Sequence, residues 1–257
     1  MPKPAQINSS GFTLIELSIV LVIIGLLVGG ILVGRDLISA AEIRREISQV
    51  QALNTAVATF YGKFGALPGD MQNATDYWAT AVNGNGNGMI ETDNATTYEG
   101  YNALHHLSLA QLVPGVFNPI TAPPAHPPGS NYAMTGAISQ TYYNIDNTTT
   151  YLPPATTLPT QNYITVSSAT FPEGVAAVGY LTFYTQSFAA GASIGLTPLQ
   201  ASIIDGKIDD GLPYSGKVVA IFYGAVPRWC AMSDNSNAYA VTINQANCMI
   251  AIRLSVN

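Results

Sequence analysis

Charge is scarce in this chain. Of its 257 residues only 9% are Asp, Glu, Lys or Arg, against about 25% in ordinary soluble domains. A long disordered chain needs the opposite balance, much charge and little apolar matter, whereas 48% of these residues are hydrophobic. Basic residues are the scarcer sign, 9 against 15 acidic ones for a net charge of −6. An extended nucleic-acid-binding surface is therefore disfavoured. The two cysteines and three histidines do not fall at zinc-finger spacing. There is no phosphate-binding P-loop and no HExxH. His105 and His106 adjoin on a predicted helix and point in different directions, and His126 lies in a Pro-rich stretch. Nothing in the sequence calls for an enzyme or a tightly held cofactor.

Proline is missing too, between Pro4 and Pro68, so nothing forbids one long helix there. The charge is unevenly spread. Residues 12–64 carry four basic and four acidic side chains, and residues 65–257 carry four basic and eleven acidic ones, net −7. From Leu17 to Gly34 the chain reads LSIVLVIIGLLVGGILVG, 18 residues without a charge. As a helix this run spans about 27 Å, close to the thickness of a bilayer's hydrocarbon core. It is too long for the apolar core of an ordinary secretory signal, although Ser39-Ala40-Ala41 imitates a cleavage site. A plain membrane anchor explains its length but not Glu16 at its start, because a carboxylate in lipid is costly and usually functional.

Ahead of the run stand a short polar leader, MPKPAQINSSG, and then Phe12-Thr13-Leu14-Ile15-Glu16. This arrangement resembles the type IV prepilin signal. The resemblance implies that a leader peptidase cuts after Gly11, that the new amino-terminal Phe12 is N-methylated, and that Glu16 serves assembly by setting the register of packed helices. Further along, FGALPGD (64–70), NGNGNG (83–88), ALHHLSLAQLVPG (103–115), LTPLQASIIDGKIDDGLP (196–213) and the paired cysteines resemble a branch of prepilin-type and pseudopilin-like bacterial proteins. Many pilins carry a proline in the membrane half of the helix, where this chain has Val33-Gly34.

The implied fold is α+β, the pilin fold: a long N-terminal helix, transmembrane and then amphipathic, packed on an antiparallel sheet in a C-terminal globular head. Its expected parts are a cleaved leader (1–11), a helix (12–64) that spans the membrane at 12–34, and a head (65–257). The periodicity supports the outer half of the helix. Ile43, Ile47, Val50, Leu53, Val57, Phe60 and Phe64 recur at steps of three and four, one apolar stripe. Gly65 and Pro68-Gly69 end it. Gly25 and Gly29, then Gly30 and Gly34, form GxxxG pairs, which either allow close helix packing or reflect the general frequency of glycine in membrane spans. In the head, helices are predicted over 70–80, 98–113 and 198–206, and an irregular stretch over 118–130. Strands are predicted over 132–138, 162–167, 175–185, 217–224, 238–243 and 247–254. Thr197-Pro198 is a helix start signal.

Three constellations invite chemistry. Asn83, Asn85, Asn87, Gly88 and Ile90 have the spacing of an EF-hand-like loop, with Glu91 and Asp93 as further oxygen donors. Related pseudopilins often bind calcium in a loop, so a Ca2+ site is one reading. A plain Asn-Gly turn is the other, because the acids of such a loop are replaced by amides and Asn94 stands at its twelfth position. Asp205, Asp209 and Asp210 read either as a metal or acid–base group or as a helix C-terminus whose acids bond backbone amides or Lys207. Cys230 and Cys248 are expected to form a disulfide in the oxidising compartment across the membrane, two free core thiols being the alternative.

The resemblance implies a structural subunit of a type IV pilus or a type II secretion pseudopilus. Its partners would be the inner membrane, a prepilin peptidase and methyltransferase, other pilin or pseudopilin subunits, and an assembly platform with its ATPase, with no nucleic acid. It would sit in the bacterial inner membrane as a single-pass protein with the head in the periplasm or outside, and enter a helical filament. The alternative is a membrane-tethered extracytoplasmic binding module, an adhesin or glycan binder, which would need neither cleavage at Gly11 nor Glu16.

Overall fold

A computed structural model describes residues 13–91, 98–119, 133–138, 141–147, 161–168, 195–221, 230–231, 237–244 and 248–256. Without proline to interrupt the hydrogen-bond ladder, one helix, α1, runs from Leu14–Phe64, 51 residues. Gly65 ends it in the left-handed region, φ 67, where a residue without Cβ is unstrained. By its contacts the chain forms two compact units, Met1–Glu42 and Ile43–Asn257. In the first unit the apolar side chains of α1 are exposed from Leu14 to Ile38. This helix is long and apolar enough to cross a membrane.

The second unit begins inside α1, and there the stripe is buried. Ile43, Val50, Leu53, Val57 and Phe60 lie in the core, with Ile47 and Phe64 half-buried against it. The same core takes in Tyr143, Ile145, Ile164, Ile250 and Ile252 from a five-stranded sheet. Its strands are β1 (Met134–Thr135), β2 (Thr141–Asn147), β3 (Asn162–Ser168), β4 (Val218–Ile221) and β5 (Met249–Arg253), in the spatial order β1-β2-β3-β5-β4. Every pairing is antiparallel, with Ile145 opposite Ile164 and Ile164 opposite Ile252. The architecture is α+β, a long apolar N-terminal helix and an antiparallel sheet. Among the described residues there are three shorter helices, α2 (Ala74–Tyr77), α3 (Glu99–Leu109) and α4 (Pro198–Ile208).

Several elements differ from expectation. Only four residues of the predicted 70–80 helix are helical, because the chain on either side is spent on other bonds: Met71 accepts from the Gly84 amide, and the Thr80 and Val82 carbonyls meet histidine rings of α3. α3 stops at Leu109, short of the predicted 113. Gln111 turns left-handed, φ 60, and the Leu112 and Gln111 amides fold back onto the Leu107 and Ser108 carbonyls at 2.9 Å each, a Schellman cap. α4 runs two residues past the predicted 206, to Ile208. Its start is a capping box, in which the Gln200 amide donates to Thr197 Oγ1 (3.2 Å) and the Thr197 amide to Gln200 Oε1 (2.9 Å). Strand 132–138 shrinks to two residues, since the Gly136 amide turns back to the Thr141 carbonyl, 2.8 Å. β2 was not expected, its TYYNIDN run holding three residues poor in strand propensity. Residues 238–243 form turns, with a single bridge from Tyr239 to Ala231. The 175–185 strand, and most of the 118–130 stretch, lie outside the described residues.

Candidate functional site

Thr13 sits one residue ahead of α1 and Glu16 in its first turn. The Thr13 amide and hydroxyl both donate to Glu16 Oε2, at 2.8 and 2.7 Å, and the Glu16 amide donates to Thr13 Oγ1, 3.3 Å. T-L-I-E is therefore a capping box. It gives the carboxylate a partner at the point where the helix leaves four amides unpaired. Both bonds fall on Oε2. Among the described residues nothing bonds Oε1. Gly11 and Phe12 lie outside them. At Gly25, Gly29, Gly30 and Gly34 an added Cβ would meet no atom within 4 Å, so no packing among the described residues requires these glycines.

Residues 7–32 match the family model of the prokaryotic N-terminal methylation motif. The chain carries a prepilin-type N-terminus. The motif takes in the polar leader's end, Gly11, Phe12, the Thr13–Glu16 cap and the apolar run as far as Leu32. No curated protein matches the chain, and no solved structure does.

Away from the prepilin-type motif, the Asn loop is held from beneath by two acids that the sequence did not single out. Asp70 and Glu99 are buried, 3% and 2% exposed. Asp70 Oδ1 and Oδ2 accept from the Asn87 and Gly88 amides, at 3.0 and 2.9 Å. Glu99 Oε1 and Oε2 accept from the Asn85 and Glu91 amides, at 2.7 and 3.0 Å. Asn162 of β3 receives the Ile90 amide at 2.8 Å. Burial, aided by the neighbouring Asp70 and Glu91 charges, raises the Glu99 carboxyl to about 7, and burial raises Asp70 too. Sequence offers no signal for this, because an acid before or after a turn is usually solvated.

The oxygens expected to converge on a cation are engaged locally. Asn83 Oδ1 accepts the Thr75 amide (2.9 Å), Asn85 Oδ1 the Asn87 amide (2.9 Å) and Asn87 Oδ1 the Met89 amide (2.8 Å). Asn85 Nδ2 and Asn87 Nδ2 both donate to Glu91 Oε2, at 3.1 and 2.8 Å. Asp93 and Asn94 lie outside the described residues.

Asp205, Asp209 and Asp210 do come together, one oxygen of each within 4.8 Å of the others, and each has backbone or hydroxyl partners. Asp205 accepts from the Gly211 amide (3.1 Å) and the Tyr239 hydroxyl (2.8 Å). Asp209 accepts from the Lys217 amide. Asp210 accepts from the Leu212 amide (2.9 Å) and the Ser215 hydroxyl (2.6 Å). They tie the end of α4 to the turn leading into β4. Burial raises Asp205 to about 6.

The two adjoining histidines of α3, His105 and His106, are each bonded to backbone groups. His106 Nδ1 accepts the Gly69 amide and Nε2 faces the Val82 carbonyl, both at 2.9 Å, so the proton sits on Nε2. Burial lowers this imidazole to about 4. His105 bridges the Phe117 and Thr80 carbonyls at 2.6 and 3.2 Å. Cys230 and Cys248 are joined in a disulfide, with Cα atoms 4.9 Å apart.

Proposed function

We propose that the protein is a structural subunit of a type IV pilus or a type II secretion pseudopilus. A prepilin peptidase cuts after Gly11, Phe12 becomes the N-methylated terminus, and the subunit enters a helical filament through its N-terminal helix. One coincidence supports this reading. The methylation motif at 7–32 overlies a helix whose apolar side chains are exposed, among the described residues, from Leu14 to Ile38. Such a surface is stable in only two settings, lipid or a bundle of like helices. A filament subunit occupies both in turn, first as a single-pass inner-membrane protein with the head on the far side, then in the filament.

Glu16 gives the second setting its specificity. In a bundle of apolar helices a carboxylate that meets the Phe12 amine of a neighbour penalises every other register, since misalignment buries an unpaired charge. Intact-mass analysis of protein assembled in its own host tests the reading. The expected chain starts at Phe12 and carries one N-methyl group. A filament subunit retaining Met1 would refute it, and a retained leader on an unassembled, surface-held protein would favour the tethered binding module instead.

A further inference from the structure

Residues 83–88 are three Asn-Gly pairs in succession, with Asn83, Asn85 and Asn87 all exposed. Asn-Gly is the pair most prone to spontaneous deamidation. The glycine amide nitrogen attacks the asparagine Cγ, a ring N–Cγ bond forms, and the Cγ–Nδ2 bond breaks. Ammonia leaves, taking up the proton of the glycine nitrogen. Water then opens the cyclic imide at either carbonyl to give aspartate or isoaspartate. No oxidant or cofactor is required, only a glycine nitrogen able to give up its proton and reach Cγ.

The fold cannot dispense with these residues. A Cβ at Gly84 would lie 2.3 Å from the Gly69 carbonyl oxygen, and one at Gly86 2.4 Å from Gln72 Cγ. Gly88 is left-handed, φ 83. The asparagines supply the oxygens that receive the Thr75, Asn87 and Met89 amides. The geometry thus imposes a chemical liability on an exposed loop. It also engages each attacking nitrogen. The Gly84 amide donates to the Met71 carbonyl (2.8 Å), Gly86 to the Asp70 carbonyl (3.0 Å) and Gly88 to Asp70 Oδ2 (2.9 Å).

We propose that the 83–88 loop is a latent deamidation site and that the Asp70 carboxylate is the guard of its Asn87-Gly88 bond. A carboxylate receiving the Gly88 proton opposes loss of that proton and points the nitrogen away from Cγ. The neighbouring Asn87 amide, bonded to Asp70 Oδ1 at 3.0 Å, fixes the backbone on the other side of the reacting carbon. The Asn87 side chain is pinned at both ends, by the Met89 amide and Glu91 Oε2. Once converted, the site cannot return. A carboxylate at 87 would face Glu91 Oε2, 2.8 Å from the amide nitrogen it replaces, and like charges at that distance repel. The loop would leave its cradle.

The test is peptide mapping of the purified full-length protein in detergent micelles, incubated at mildly alkaline pH, with urea-unfolded protein giving the unguarded rate at each asparagine. Asp70→Ala removes the bonds to the Asn87 and Gly88 amides and leaves the main-chain acceptors of Gly84 and Gly86 in place. Conversion at Asn87 should become at least about tenfold faster, as expected for loss of a charge-assisted hydrogen bond, with Asn83 and Asn85 at their wild-type rates. Asp70→Asn, which keeps one acceptor oxygen of the two, should fall between wild type and Asp70→Ala. The proposal is overturned if folded wild type converts at Asn87 at the urea rate. It is overturned equally if Asp70→Ala leaves Asn87 unchanged, or accelerates all three sites alike, since protection would then belong to the fold as a whole.

Discussion

Glu46 is a charged residue in the stripe of α1 that faces the head, and it is fully buried. Its Oε2 accepts the Ala137 and Ile138 amides at 2.7 and 2.9 Å, so it fastens the helix to the turn between β1 and β2. Glu46→Ala would leave the half-buried Ala137 and buried Ile138 amides without this acceptor. A loss of about 3 kcal/mol is expected in urea unfolding of the head. Glu46→Gln, which still offers one oxygen, should lose less. Glu99, Asp205 and His106 act through protons. Glu99, raised to about 7, and Asp205, raised to about 6, hold protons in the folded state that the unfolded chain has released. Each therefore favours folding less as pH rises from about 4 towards those values. His106, lowered to about 4, works in the opposite sense: its contribution is complete above its ordinary value near 6.5 and fades as pH falls towards 4. Carboxyl and imidazole NMR titrations should place Glu99 and Asp205 above, and His106 below, their ordinary ranges. A Glu99 carboxyl titrating like a solvated glutamate would mean that its cradle is open in solution.

At the level of elements, the helix ends carry more information than the helix bodies. α3 closes with a Schellman cap whose left-handed position is Gln111, φ 60, where glycine is the residue that fits without a Cβ clash. Gln111→Gly should stabilise the head by about 0.5–1 kcal/mol, read as a higher urea midpoint. The sheet shows how neighbours override local preference. β2 holds two asparagines and an aspartate, yet it pairs with β3 along its whole length, from Thr141 opposite Ser168 to Asn147 opposite Asn162. Tyr143 and Ile145 point into the core, and that burial decides the strand.

For the whole molecule, the two units of the chain differ in how the apolar side chains of α1 are covered. From Leu14 to Ile38 the apolar side chains of α1 are exposed within this chain, and from Ile43 its apolar stripe is core. Glu16 stands at the start of the exposed part, bonded to Thr13 through one oxygen only. On the filament reading, Glu16→Gln leaves the leader, Gly11 and the apolar run intact, so insertion and cleavage should proceed at wild-type levels. Incorporation into filaments should fall sharply when the variant is the sole copy, because the register penalty is gone. Sheared-filament yield against cleaved subunit in membranes measures the two separately. Wild-type yield would remove Glu16 as the register element.

What the sequence determined alone is whatever depends on neighbours along the chain. The proline-free apolar run, the methylation motif, the Thr197-Pro198 start signal and the Ile43–Phe60 stripe are periodic or local patterns, and the helix ladder is itself local. Tertiary structure decided what depends on partners far along the chain. Asp70 and Glu99 look like solvated acids until the loop above them supplies four amides. Asp205 becomes the partner of Tyr239, 34 residues away. The asparagines of the loop have metal-like spacing, and only the positions of Thr75, Met89 and Glu91 show their oxygens and amides already engaged. A short-range pattern fixes dihedrals; which polar group is desolvated, and against what, is fixed only when distant segments close over it.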